Sequence, residues 1–335
     1  MDKKLGESDM VEVVNQVHML SADRGLYGSA GEAEIWDFST ANRNEQSRID
    51  AVQKVASICF QSDAKIGTSA LYDKLMAESL GLPSSSFEFI PVLLRDEDVE
   101  LINGSYVKNF LKEEEAFLQT PRIEKYGVTV IDGNSVYKLT NLRALLYDTC
   151  LINTFCKSGD EIDVKRNFFN TDPREIRLIQ ENFFVFNTKI DIVTARQFMR
   201  HRTSWQELSR RYVSGKKVPF EVYLTFDMQS ADIHVGIYDA LGREKPLFED
   251  GYDEVGIDAL DLVILTLRMY DAAVSAGVKP QDARRIIPQG ALTQVWSAWF
   301  KPQFDDMIEL RSAGKAQWEV RTLAKSLSGL VSRTI

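Results

Sequence analysis

A chain of 335 residues with 44% apolar side chains has enough material to bury a sizeable core, as one large domain or two smaller ones. Its formal charge of -9 and pI near 5.1 argue against a surface built to hold nucleic acid, because such surfaces are basic, so any anion site has to be local. Three cysteines, Cys59, Cys150 and Cys156, are too few for a disulfide framework and include no CxxC pair, which fits a reducing cytoplasm best.

The opening MDKKLGESDM runs into mixed polar sequence without the apolar block of a signal peptide. Residues 1–44 read as an N-terminal extension, and Gly25, Gly28 and Gly31 follow GxxGxxG, not the dinucleotide fingerprint GxGxxG. From Asn44 the pattern turns helical through Ile49, Val52, Ala56 and Cys59, then again through Leu71, Leu75 and Leu80 to Gly81 and Pro83. Residues 91–180 look inserted. They carry the charged runs RDEDVE and KEEE, a hairpin signal at Asp132-Gly133 and a helical series Leu142, Leu145, Leu146.

Phe183, Phe184 and Phe186 predict a buried strand, followed by a helix capped by Asp191 and running through Arg202 with Ile192, Ala195 and Met199 inward. Alternation over Phe220–Leu224 predicts a further strand. The C-terminal third reads as helical: about 257–276 closing on Gly277, a start near Pro280 to Asp282, and a last helix from Ser312 through Val320, Leu323 and Leu327. Leu260–Leu267, the most apolar stretch, contains Asp261 and is too short for a membrane span, so a soluble protein with no membrane partner is expected. The expected fold class is α+β, a mixed helical domain with a small antiparallel sheet and an inserted subdomain.

Five arginines, Arg196, Arg200, Arg202, Arg210 and Arg211, crowd one segment with His201 and without lysine. Guanidinium forks suit phosphate oxygens, and Ser209 with the neighbouring backbone amides would add neutral donors. Charge alone leaves two readings open, a nucleotide phosphate site or a solvated basic face paired with carboxylates. His18 and His234 are isolated and lack metal-ligand spacing, so no metal site is expected. Trp296, Trp299 and Phe300 are spaced like a helix's core face, and Asp305 and Asp306 point to different helix faces.

The order of residues is more specific than the charge. RQFMRHRTSWQELSRRY, residues 196–212, resembles the signature of the flavin-dependent thymidylate synthases, RQ, two residues, RHR, then S-x-N-E-x-S-x-R-Y. Ala283-Arg284-Arg285-Ile286-Ile287-Pro288 with Thr293 is similar to the family's A-R-x-x-L-P and threonine. Leu310-Arg311 and Ala316-Gln317-Trp318-Glu319-Val320 resemble its L-R and A-Q-W-E-I. Ala56–Phe60 and Ser85–Glu88 match two more elements weakly, so the resemblance covers roughly 45–90 and 181–330 and implies a catalytic domain over 45–335 interrupted at about 91–180.

The resemblance implies a cytoplasmic enzyme that methylates deoxyuridine monophosphate (dUMP) to dTMP, with FAD as cofactor and methylenetetrahydrofolate and NADPH as co-substrates. It implies that Arg200, His201, Arg202, Gln206 and Glu207 face the flavin, and that Gln197, Arg200, Glu207, Ser209, Arg211, Arg284 and Arg311 hold the nucleotide. Arg311 and Ser209 would be the catalytic pair, and sites would be shared across a homotetramer.

The match departs from the pattern at several points. Six residues separate Arg202 from Ser209, one fewer than the common form; Gln206 replaces an asparagine; Arg210 replaces a small residue; Phe89 and Phe300 replace a histidine and an asparagine. Asn141-Leu142-Arg143-Ala144 looks like the family's N-x-R-A string and is read as a surface helix or as a substitute for that asparagine. A flavin-dependent hydroxymethylase and a non-catalytic nucleic-acid-binding protein remain as alternatives.

Overall fold

The computed structural model describes residues 32–60, 72, 74–75, 84–110, 120–155, 168–210, 220–222, 237–238, 244–245 and 259–334. The opening glycines, His18, His234, Cys156, Arg211, Tyr212 and most of the predicted second helix lie outside the described residues.

Strand β1 (Glu32–Trp36) leads to helix α1 (Glu45–Phe60), where Asn44 caps by accepting the Ser47 amide at 2.8 Å, a device worth about 1 kcal/mol. A short 3-10 turn, Ser85–Phe89, precedes β2 (Pro91–Arg95), α2 (Asp96–Phe110) and α3 (Arg122–Lys125). β3 (Val128–Asp132) and β4 (Ser135–Asn141) form the hairpin expected at Asp132-Gly133, and Gly133 adopts φ +61, where a side chain would be strained. β4 passes without a loop into α4 (Leu142–Phe155) because Asn141 accepts the Ala144 amide at 2.9 Å.

Helix α5 (Pro173–Asn182) starts on Asp172 with proline in its first turn and gives way to β5 (Phe183–Asp191), then α6 (Ile192–Phe198). Short strands β6 (Ser204–Glu207), β7 (Ile237–Tyr238) and β8 (Glu244–Lys245) follow. The chain ends through α7 (Ala259–Ser275), α8 (Pro280–Ala283), a 3-10 turn at Arg284–Ile286, β9 (Leu292–Phe300), α9 (Lys301–Ser312) and α10 (Trp318–Thr334). Among the described residues no helix is long and apolar enough to cross a membrane.

These elements divide into two compact units. The larger comprises Glu32–Lys189, Arg196–Leu208 and Gln294–Ile335. It holds a four-stranded sheet in the order β1-β5-β9-β6, covered by an aromatic layer in which Phe304 of α9 meets Phe184 at 5.1 Å and Phe186 at 5.5 Å. It also holds the three-stranded antiparallel sheet β2-β4-β3, built from the segment read as inserted.

Asn170 anchors that segment: its amide donates to Leu93 O and Glu175 and its oxygen accepts from Asn42 and the Leu93 amide, while Arg48 donates to Asn42 at 2.6 Å. The second unit includes Ile190–Ala195 and Ser209–Thr293, with Phe220, Val222, Val263, Leu267, Tyr270 and Ala283 as its core.

The α+β class is as expected, with four departures in detail. The helix capped by Asp191 stops at Phe198, because the chain turns at once toward β6 instead of running through Arg202. Trp296, Trp299 and Phe300 belong to strand β9, whose last six residues are all buried, so alternation vanishes and their helical spacing misleads. Ser312 ends α9, and the last helix begins at Trp318. Asn141, Leu142 and Ala144 are buried at the start of α4, which is therefore no surface helix there. Of the predicted strand Phe220–Leu224, only 220–222 are described, and Val222 bridges to Ala291.

Candidate functional site

The arginine-rich segment is displayed by a tight turn between α6 and β6. Phe198, buried at the end of α6, anchors one side, and its carbonyl accepts the His201 amide at 3.0 Å. The His201 carbonyl accepts both the Thr203 amide at 3.0 Å and the Trp205 indole N–H at 3.1 Å, and the Thr203 hydroxyl donates to Ala298 O in β9. β6 then pairs antiparallel with β9, Gln206 opposite Trp296 and Glu207 opposite Val295. The turn is thus stapled to the buried sheet while Arg200 and Arg202 stay exposed; among the described residues neither has a carboxylate partner.

Into this turn reaches Arg311, from the last turn of α9. Its Nε donates to His201 Nε2 at 2.8 Å and its Nη2 to the Gln197 carbonyl at 2.8 Å. Burial and the neighbouring Arg200 charge lower the Arg311 pKa, and burial together with Arg311 lowers that of His201. The imidazole is therefore neutral at neutral pH, and it lies 5.9 Å from the Trp299 ring, which Trp205 meets edge-on at 5.2 Å. Two guanidinium charges close together without a carboxylate favour an incoming anion or developing negative charge.

Four of the residues named from sequence, Gln197, Arg200, His201 and Arg311, converge here. Arg202 is exposed on the same turn. Gln206 takes another direction: its oxygen accepts from Ser85 Oγ at 3.0 Å, and its amide donates to Cys59 Sγ at 2.9 Å. Cys59 in turn donates to the carbonyl of Glu207 at 3.4 Å, so its thiol has a structural role. Glu207's side chain is exposed at the end of β6.

The 3-10 turn bearing Ser85 also carries Glu88, which pairs with Arg143 of α4; Phe89 beside it is fully buried. Phe300, likewise buried, packs against Phe183 at 5.3 Å, so both aromatic replacements serve the core.

Ser209, Arg210 and Arg284 belong to the second unit, and Arg211 is outside the described residues. Ser209 is half-buried and Arg284 exposed. Arg210 lays its guanidinium over the Phe220 ring, 4.2 Å from its centroid, and burial lowers its pKa to about 10. The bulky charge is absorbed by packing within that unit.

Sequence reasoning missed two contributors. Gln317, within the quoted A-Q-W-E string, accepts from the Gln197 amide at 2.6 Å, and Trp205 supports His201 through its indole. No spacing rule marks either; the signal for Gln317 was its exposed place in a motif whose Glu319 and Val320 are buried.

Residues 175–335 match the family model described as thymidylate synthase complementing protein. The chain is 28% identical over 154 residues to a flavin-dependent thymidylate synthase of Aquifex aeolicus, covering 45% of each chain. It is 28% identical over 142 residues to the enzyme of that name from Thermococcus onnurineus, covering 42% of this chain and 50% of the other. The match thus spans about half the length of these curated relatives. Among solved structures, a UMP/dUMP methylase PolB from Streptomyces cacaoi, bound with 5-Br UMP, is 18% identical, with a TM-score of 0.33 over 48% of this chain and 73% of that one.

Proposed function

We propose, from the match of residues 175–335 to the family model described as thymidylate synthase complementing protein, that the chain transfers a one-carbon unit to C5 of dUMP, giving dTMP. In this reading methylenetetrahydrofolate donates the carbon, NADPH is the reductant and FAD is the resident cofactor, in a cytoplasmic homotetramer with shared sites. The observation that carries it is Arg311, fixed by His201 and Gln197 beside Arg200.

C5 of uracil becomes nucleophilic when electron density shifts from a carbonyl oxygen through the ring, and negative charge then grows on that oxygen. A guanidinium held in place before the reaction stabilises this charge without reorganising, worth on the order of 3 kcal/mol for a single well-aimed donor. Arg311 has two of its nitrogens anchored, and among the described residues Nη1 makes no hydrogen bond. It is therefore the group assigned to the carbonyl. In balance, C5 gains the methylene carbon and loses its hydrogen as a proton, and two electrons with a proton complete the methyl group. Flavin, when bound, supplies those electrons as a hydride equivalent.

The residues fit a flavin dinucleotide on its phosphate side. Arg200 and Arg202 are exposed guanidiniums with no carboxylate partner among the described residues, the donor type that suits a diphosphate. Gln206 fits less well, since its oxygen already accepts from Ser85 and its NH2 already donates to Cys59. No protein nucleophile is required at C6, which accords with Cys59 being held between Gln206 and the Glu207 carbonyl. Ser209 and Arg211 are assigned to the nucleotide, and Arg284 to its phosphate, on the strength of the motif.

Arg311→Ala tests the assignment. The variant is expected to keep its flavin absorbance and to lose conversion of dUMP by at least ~100-fold, as when one charge-stabilising donor is removed. Unchanged turnover would refute the role given to Arg311.

A further inference from the structure

We infer that His201 is a positioning residue for Arg311, holding the guanidinium through an imidazole nitrogen that acts only as an acceptor, so that Nη1 is left to meet the substrate. This rests on the uracil-nucleotide reading of the site. The resemblance alone turns His201 toward the flavin; the structure spends its Nε2 on Arg311.

Arg311 Nε donates to His201 Nε2 and Nη2 donates to the Gln197 carbonyl, each at 2.8 Å. A guanidinium is planar, so two anchors on one edge fix both its plane and its rotation. The remaining edge points away from both anchors.

The imidazole is itself fixed, through its backbone bonds to Phe198 and Trp205 and by the adjacent Trp299 ring. To accept at Nε2 it must be neutral and carry its proton on Nδ1, the less common tautomer of a free imidazole. Among the described residues the charged groups facing it are Arg311 and, behind Arg311, Arg200, both cations that oppose protonation. A carboxylate at this position would hold Arg311 more strongly but would neutralise the charge needed at the carbonyl oxygen. A neutral acceptor orients the guanidinium and leaves its charge intact, which accounts for a histidine here.

Nitrogen-15 shifts of the imidazole, assigned with His201→Gln, test the contact without any ligand. Wild type should show the neutral form protonated on Nδ1, and in Arg311→Ala the imidazole should titrate at higher pH. A proton on Nε2 in wild type would overturn the proposal whatever the enzyme's substrate.

Equilibrium binding of dUMP tests the consequence. His201→Ala should weaken it about tenfold, the loss of one well-placed hydrogen bond, and His201→Gln, whose oxygen can replace Nε2, by no more than about threefold. On the Arg311→Ala background, His201→Ala should cost nothing further, and flavin content should stay at the wild-type ratio throughout. Additive losses, or loss of flavin with dUMP affinity retained, would make His201 an independent contact and overturn the positioning role. Failure of wild type to bind dUMP at all would instead overturn the proposed function, with the tautomer still deciding whether His201 holds Arg311.

Discussion

His201 and Gln206 lie five residues apart in one motif and do different work. Gln206 bridges Ser85 of the 3-10 turn and Cys59 of α1 to β6, a role in holding elements together. Gln206→Ala should leave flavin content unchanged and lower stability by about 1 kcal/mol in urea unfolding, the worth of such a bridge in a half-buried setting. His201 should give the site its acid limb. Its pKa is lowered, so the folded protein takes up the proton less readily than the unfolded chain. The contribution to stability is therefore complete above the ordinary imidazole range near ~6.5 and is lost as the pH falls through the folded value. dUMP affinity measured against pH should fall along that limb in wild type and stay flat in His201→Gln.

The elements of the segment read as inserted are tied to the rest of the larger unit by polar groups. Asn170 satisfies Leu93 at both backbone atoms and reaches Glu175 and Asn42. Replacing it with alanine leaves several buried groups without partners and should cost roughly 2–4 kcal/mol, whereas Arg95→Ala, whose arginine is exposed, should cost under about 1 kcal/mol. Thermal unfolding of the two variants side by side checks the ranking.

Asp148 of α4 is a second such point. Wholly buried, it accepts the Ile123 amide at 2.9 Å, its other oxygen has no partner among the described residues, and burial raises its pKa to about 6. The folded chain therefore binds this proton more tightly than the unfolded chain. Stability from it is present at low pH and is lost as pH rises from the ordinary carboxyl range to about 6. Asp148→Asn should raise the Tm at neutral pH, by on the order of 2 kcal/mol of stability, and the gain should disappear below the ordinary carboxyl range near ~4.

What the sequence disclosed about these elements follows from how local their causes are. The β3–β4 hairpin and the end of α7 were legible because Gly133 and Gly277 take positive φ, which only a glycine adopts readily. The cap on α6 was legible because Asp191 bonds the Thr194 amide within the same turn. β9 was not, since burial on both faces erases alternation, and β6 is too short to show a period. At the site, the Arg311 motif was legible as a string. Its grip on His201, across 110 residues, depends on α9 returning to the α6–β6 turn, which no local signal encodes.

At the scale of the molecule, the chain is acidic, and at the α6–β6 turn Arg200 and Arg202 are exposed without a carboxylate partner among the described residues, a local site that suits a small anion better than a polymer. The purified protein should be yellow, and light scattering should give a mass four times the 38.0 kDa chain. Colourless protein with salt-sensitive polynucleotide binding would favour the nucleic-acid reading. The most direct measurement is the mass of the nucleotide formed from labelled dUMP with methylenetetrahydrofolate, NADPH and the wild-type protein. A gain of one methyl group at C5, absent in Arg311→Ala, is the predicted result; a hydroxymethyl product, or no change in the nucleotide while flavin is bound, would contradict it.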